Sequence, residues 1–135
     1  MGAADAFFDT NVLLYLLSAD SAKADRAEAL LAGGGVVSVQ VLNEFASVAA
    51  RKLGLEIAAI REVLATVRAV CGVKPVDIET HDLALDLAER WGFSIYDCLI
   101  VAAALRAGCK TVYSEDLQPG QRIDKLTIRN PFAGD

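Results

Sequence analysis

What most constrains this chain is an alternation. Short apolar runs are separated by longer helical segments, and three of these runs end on a small polar or acidic residue. Ala6-Phe7-Phe8 stops at Asp9, Val36-Val37 at Ser38, and Thr111-Val112-Tyr113 at Ser114. Apolar runs this short suit strands covered on both faces, which is the situation inside a parallel sheet. Between them, residues 11–18 are apolar and helical in character, and Ser21 to Ala32 is Ala-rich, charged on one side, and stops at Gly33-Gly34-Gly35. Val41, Leu42, Phe45, Val48 and Ala49 share one face of a helix that Ser38 caps and Gly54 ends. Leu55 to Cys71 repeats that periodicity through Ile57, Ile60, Val63, Leu64, Val67 and Val70. Val73 to Val76 is a weak strand, Ile78 to Trp91 an amphipathic helix, and Ser94 to Ala107 a helix apolar almost all round. A last strand falls within Leu126 to Arg129. This order predicts an α/β fold, a three-layer α/β/α Rossmann-like domain, single over residues 1–135. Its central sheet is expected to be mainly parallel and four- to five-stranded.

Composition removes several alternatives. With 54% hydrophobic and 23% charged residues, the chain is no disordered segment. Its longest uninterrupted apolar run, Cys98 to Leu105, is far short of the ~20 residues a membrane-spanning helix requires. No positive stretch precedes the first apolar segment, so no secretory signal is expected. Cys71, Cys98 and Cys109 lie in apolar sequence without CxxC spacing, which reads as reduced thiols in a cytoplasmic protein. One histidine, His81, does not make a zinc site or a Ser-His-Asp triad.

In open α/β sheets, ligands bind outside the carboxyl ends of the strands. Four acids fall toward that edge. Asp9 follows the first strand directly. Glu44 stands in the otherwise apolar helix after Ser38. Asp97 completes an S-x-x-D capping box with Ser94, and Asp116 follows the Thr111–Tyr113 run. Each has an ordinary explanation: a helix cap for Asp9 and Asp97, a solvated helix face for Glu44, a turn for Asp116. Their convergence does not. Two carboxylates ~5 Å apart repel by about 3 kcal/mol at an effective dielectric of ~20, so a cluster calls for protons or a cation. All-oxygen ligands suit Mg²⁺ or Mn²⁺ better than zinc. Glu115, beside Asp116, reads as a solvated side chain.

The strings Phe8-Asp9-Thr10-Asn11-Val12-Leu13, Leu42-Asn43-Glu44-Phe45, Tyr96-Asp97-Cys98-Leu99-Ile100-Val101-Ala102-Ala103-Ala104 and Tyr113-Ser114-Glu115-Asp116-Leu117 occur in this order. In them the chain resembles PIN-domain proteins, and among these the VapC-type toxins of bacterial and archaeal toxin–antitoxin pairs. The resemblance spans essentially the whole sequence. It implies a metal-dependent ribonuclease whose acidic residues carry over onto Asp9, Glu44, Asp97 and Asp116. Asp9, Asp97 and Asp116 are then candidate ligands of Mg²⁺ or Mn²⁺, while Glu44 either completes the shell or orients the attacking water. Thr10, Asn11 and Ser114 would hold carboxylates or substrate. Hydrolysis leaving a 3′-hydroxyl, and an antitoxin covering the acidic pocket, follow from the same resemblance.

The net charge of −5 does not contradict RNA as substrate, since four of the eighteen acids belong to the site. Lys23, Arg26, Arg122, Lys125 and Arg129 are candidate phosphate contacts, each read first as a solvated surface charge. Large apolar faces on the helices around Phe45 and Ile60 suggest a homodimer. A non-catalytic RNA-binding domain or a regulatory module of the same fold remains open as the alternative. A receiver-type phosphoacceptor has less support, for the chain shows neither its paired acids near Asp5 nor its lysine after a late strand.

Overall fold

The computed structural model describes residues 5–132. The strands are β1 (Ala6–Phe8), β2 (Gly35–Ser38), β3 (Cys71–Lys74), β4 (Thr111–Tyr113), β5 (Arg122–Ile123) and β6 (Leu126–Arg129). The helices are α1 (Thr10–Leu14), α2 (Ser21–Ala32), α3 (Val39–Leu53), α4 (Ile57–Val70), α5 (Ile78–Trp91) and α6 (Ile95–Arg106). Strand order is β3-β2-β1-β4-β6-β5, parallel throughout except for the β5–β6 pair. The expected layered α/β architecture with a mainly parallel sheet is therefore what forms. The chain builds outward from β1 through β2 to β3, then crosses back to lay β4 on the other side of β1. Topology reverses between β1 and β4, at the ends that carry Asp9 and Ser114.

Local chemistry sets the boundaries. Asp9, Asp20, Ser38, Asp77 and Ser94 each cap a helix, the side-chain oxygen accepting backbone N–H groups of the first turn. Gly54 and Gly92 end α3 and α5 in the left-handed conformation, which only glycine adopts without strain. Phe7, Phe8, Leu13, Phe45, Val101 and Val112 form the centre of the core. The run Ala102-Ala103-Ala104 is buried as well, so α6 packs closely on its neighbours. Among the described residues no helix is long and apolar enough to cross a membrane.

Three details depart from the sequence expectation. The sheet has six strands, because Arg122–Ile123 folds back antiparallel on β6 across a two-residue turn at Asp124-Lys125. Asp124 adopts φ 55° there, a conformation Asp tolerates better than most residues, but without glycine the turn carries no sequence signal. Cys71 opens β3 rather than closing α4, and Pro75, which has no N–H to donate, follows the strand's last residue. Residues 11–18 divide into α1 and a 3-10 turn at Tyr15–Leu17.

The sheet leaves no room at Gly35. A Cβ there would stand 2.4 Å from the Phe8 ring and 2.8 Å from the carbonyl oxygen of Ala6. Gly35→Ala is expected to lower unfolding free energy by about 1–3 kcal/mol, the range for overpacked cores. Gly33→Ala, with its nearest neighbour at 3.5 Å, should change stability by less than about 1 kcal/mol. Urea titrations of the two variants make the comparison.

Candidate active site

Burial of Phe7 and Phe8 carries the chain into the middle of the sheet and leaves Asp9 at its carboxyl edge, 5% exposed. The Asp9 amide donates to the Tyr113 carbonyl (3.0 Å), tying the end of β1 to the end of β4. Its carboxylate accepts from the Thr10 amide (2.7 Å) through Oδ1 and from the Ser114 hydroxyl (2.7 Å) through Oδ2. Ser114 is fully buried, and its Oγ also accepts the amides of Asp116 (3.1 Å) and Leu117 (3.3 Å). With its lone pairs engaged by those two donors, the hydroxyl has one proton left to give, and Asp9 receives it.

The next residue reaches the other way. Thr10 Oγ1 donates to Glu44 Oε1 (2.6 Å), joining the β1–α1 turn to the second turn of α3. Glu44 Oε2 accepts from Gln40 Nε2 (3.2 Å), which also donates to the Tyr96 carbonyl (3.3 Å) beside Asp97. Asp97 lies in the first turn of α6, its own amide bound to Ser94 Oγ (3.2 Å). Asp116 is exposed on the turn after β4. Asn11 Oδ1 accepts the Glu115 amide (3.4 Å), while Asn11 Nδ2 is buried without a partner among the described residues. Glu115, expected to be merely solvated, accepts the Tyr15 hydroxyl proton.

All four acids therefore share one electrostatic neighbourhood, for Asp9 and Asp97 each feel the charges of both Glu44 and Asp116. Burial is the largest influence on Asp9 and pushes its pKa up from 3.8 to about 6, against the lowering effect of its hydrogen bonds from Ser114 and Thr10. Burial also raises Asp97, opposed by Ser94 and reinforced by Asp116 and Glu44. Yet among the described residues no three His, Cys, Asp or Glu side chains stand as a formed metal-holding group. Repulsion is eased here by hydrogen bonds to Asp9 and Glu44 and by the proton-retaining tendency of Asp9. A proton on Asp9 is one of the two remedies the sequence argument allowed, and the hydrogen bonds add to it. Gln40 is the site residue that sequence reasoning missed. Its signal was its place one helical turn before Glu44.

A PIN domain sequence profile matches residues 6–125, nearly the whole chain. The chain belongs to the PIN domain family. Curated proteins give no significant sequence match. Among solved structures, the PIN fold here is similar to VapC20 of Mycobacterium tuberculosis, described as a sarcin–ricin loop cleaving toxin. The match has 23% identity and a TM-score of 0.67, covering 81% of this chain and 88% of that one. A toxin–antitoxin complex from Klebsiella pneumoniae matches at 17% identity and TM-score 0.70, over 94% and 98% of the two chains. VapBC2 of Rickettsia felis, bound to a promoter DNA fragment, matches at 19% and 0.65, over 93% and 97%. At these identities the likeness is one of fold. The four strings quoted above thus belong to a PIN domain whose structural neighbours are toxin–antitoxin proteins.

The Asp9 carboxyl gives this PIN domain a pH signature. Its pKa is higher folded than unfolded, so its stabilising contribution is complete below about 3.8 and lost as pH rises through about 6. The whole excursion amounts to about 3 kcal/mol. Asp9→Asn does not titrate. In metal-free buffer its unfolding free energy relative to wild type should therefore fall by up to about 3 kcal/mol between pH 8 and pH 4. Equal pH profiles for the two proteins in urea unfolding would show Asp9 to be an ordinary carboxylate.

Proposed function

We propose that this chain is a Mg²⁺- or Mn²⁺-dependent ribonuclease and the toxin of a toxin–antitoxin pair. The observation that carries the reading is the sharing of one electrostatic field by Asp9, Glu44, Asp97 and Asp116 at the topological switch point of a PIN fold. The description of VapC20 as a sarcin–ricin loop cleaving toxin and the toxin–antitoxin composition of the other neighbours support the class of substrate and partner. The donor set fits a hard divalent ion, being made of carboxylate oxygens with hydroxyls behind them. Asp9, Asp97 and Asp116 would hold it. When bound, such an ion supplies charge neutralisation at a phosphodiester and a water of lowered pKa.

The remaining work falls to the chain. Ser114 fixes the rotamer of Asp9 and, through its two accepted amides, the path of the loop that carries Asp116. Thr10 and Gln40 grip both oxygens of Glu44, which leaves that carboxylate with lone pairs to orient a water but with little freedom to swing. Asn11 accepts the Glu115 amide through Oδ1 and so holds the loop just before Asp116. The antitoxin would cover this pocket, with a cationic side chain against the acids. A homodimer would bury the exposed Leu53 and Ile57 at the α3–α4 turn. The cellular site of action is the cytoplasm.

Cleavage of single-stranded RNA with Mg²⁺ or Mn²⁺ is the test. Asp97→Asn should lower kcat by about 10²–10³, the scale of losing one charge-stabilising group, while melting near wild type. Ser114→Ala should lower activity by about 10–100-fold, as an orienting partner does. Products should carry 3′-hydroxyl ends. Full cleavage by Asp97→Asn would reject Asp97 as a catalytic group, whereas a wild type that binds RNA and never cuts it would leave an RNA-binding module with an inherited PIN fold.

A further inference from the structure

Residues directly opposite one another in a sheet share a face, and neighbours along a strand alternate between faces. Val36, Phe7, Val112 and Ile128 are successive register partners, and all are buried. Beyond β1 the other face is different. It carries Thr111 and Tyr113 of β4, Thr127 and Arg129 of β6 and, opposite Thr127, Arg122 of β5. The two threonines and Tyr113 are only half-buried, and both arginines are exposed.

Two hollows lie along this open strip. A cavity of about 760 Å³ sits at the amino ends of β4 and β6, lined by Lys110, Thr111, Arg122, Lys125 and Thr127. A smaller one of about 190 Å³ lies toward the carboxyl ends, lined by Arg26, Tyr113, Thr127 and Arg129. Thr127 lines both. Five basic residues are thus gathered along one strip of a chain whose net charge is −5. Asp124, the carboxylate on the larger hollow, is engaged by Arg90 at 3.5 Å. The strip ends at Tyr113, whose carbonyl receives the Asp9 amide and whose next residue is Ser114.

We propose that the open face of β4, β6 and β5 is the track along which single-stranded RNA reaches the four carboxylates, its phosphates set against Lys110, Lys125, Arg122 and Arg26. The proposal rests on the ribonuclease reading and extends it from the site to the path of the substrate. Basic side chains and threonine hydroxyls lining the same hollows match a sugar–phosphate backbone, which takes most of its contacts from such groups. Three strand residues span about 10 Å. The track therefore accommodates a few nucleotides beside the scissile one, and specificity for a sequence would have to come from elsewhere. The sequence offered Arg26, Arg122, Lys125 and Arg129 only as separate surface charges. The β5 hairpin, invisible in the sequence, sets Arg122 and Lys125 beside Lys110.

The experiment uses the full chain, a fluorescent 12-nucleotide single-stranded RNA and EDTA, so that binding is read without cleavage. Arg122→Gln/Lys125→Gln alters two exposed side chains and should melt with the wild type. It should weaken RNA binding about tenfold, and the slope of log K against log salt should become shallower by about 1.4, for two lost phosphate contacts. Unchanged affinity and slope overturn the track. Cleavage with Mn²⁺ separates the two readings. A wild type that cuts RNA, with a double variant that binds and cuts equally well, removes the track and keeps the ribonuclease. A wild type that binds RNA through these residues yet never cuts keeps the surface and removes the ribonuclease. Should the double substitution abolish binding of a polyglutamate peptide and leave RNA affinity intact, the face belongs to an acidic protein partner and the track is overturned.

Discussion

The Asp9–Ser114 hydrogen bond is the interaction from which the rest of the site follows. Phe7 and Phe8 bury the middle strand of the sheet so completely that the residue after them enters a desolvated position whatever its chemistry. An isolated carboxylate there would be driven strongly toward its neutral form. Ser114 and the Thr10 amide hold it instead at a pKa of about 6, within reach of either state. Because Ser114 already accepts two amides, its proton has one destination, and the bond has a fixed sense. Reversal would strand Asp116 and Leu117 without acceptors.

Consecutive residues then tie three parts of the chain together. Asp9 binds the loop after β4 and Thr10 binds α3, while Gln40 on α3 reaches the backbone of Tyr96, next to Asp97. These links form a chain running from the loop that carries Asp116, through the β1–α1 turn and α3, to the start of α6. A residue as far along the sequence as Asp97 is therefore coupled to Asp9 through partners both can feel, Glu44 and Asp116. Such a network is cooperative, since loss of one bond loosens the next. The site is a property of the turn chemistry as much as of the acids themselves.

Much of this was legible in the sequence, for reasons that differ by element. The strands β1, β2 and β4 announce themselves because each is apolar and ends on a cap former. α6 is recognisable because it is apolar on every side. The PIN resemblance named the four acids, and the structure brings all four into one field. What was not legible depends on interactions without a local signature. β5 is two residues long and turns on an aspartate rather than a glycine, so only its pairing with β6 reveals it. Cys71 follows an amphipathic helix and looks like its last residue until the register with Gly35 claims it for β3. Gln40 was hidden because a glutamine on a helix has no default role, and its meaning comes from Glu44 and Tyr96.

By the sequence alone, clustered carboxylates need protons or a cation, and the structure adds helix ends and hydroxyl donors to that account. The carboxyl edge of the sheet is also where helices begin: Ser38 caps α3 and Ser94 caps α6, so the amino ends of a 15-residue and a 12-residue helix face the acids. Each such end behaves like about half a positive charge, worth up to about 1 kcal/mol to a nearby carboxylate. Fixed dipoles, hydroxyl donors and an Asp9 that readily takes a proton together reduce the repulsion among the acids. A divalent ion proposed for this site would take Asp9 as one of its ligands. Its binding would displace a proton from Asp9, so occupancy should strengthen as pH rises through about 6, linking the fold's least comfortable residue to the chemistry it is proposed to perform.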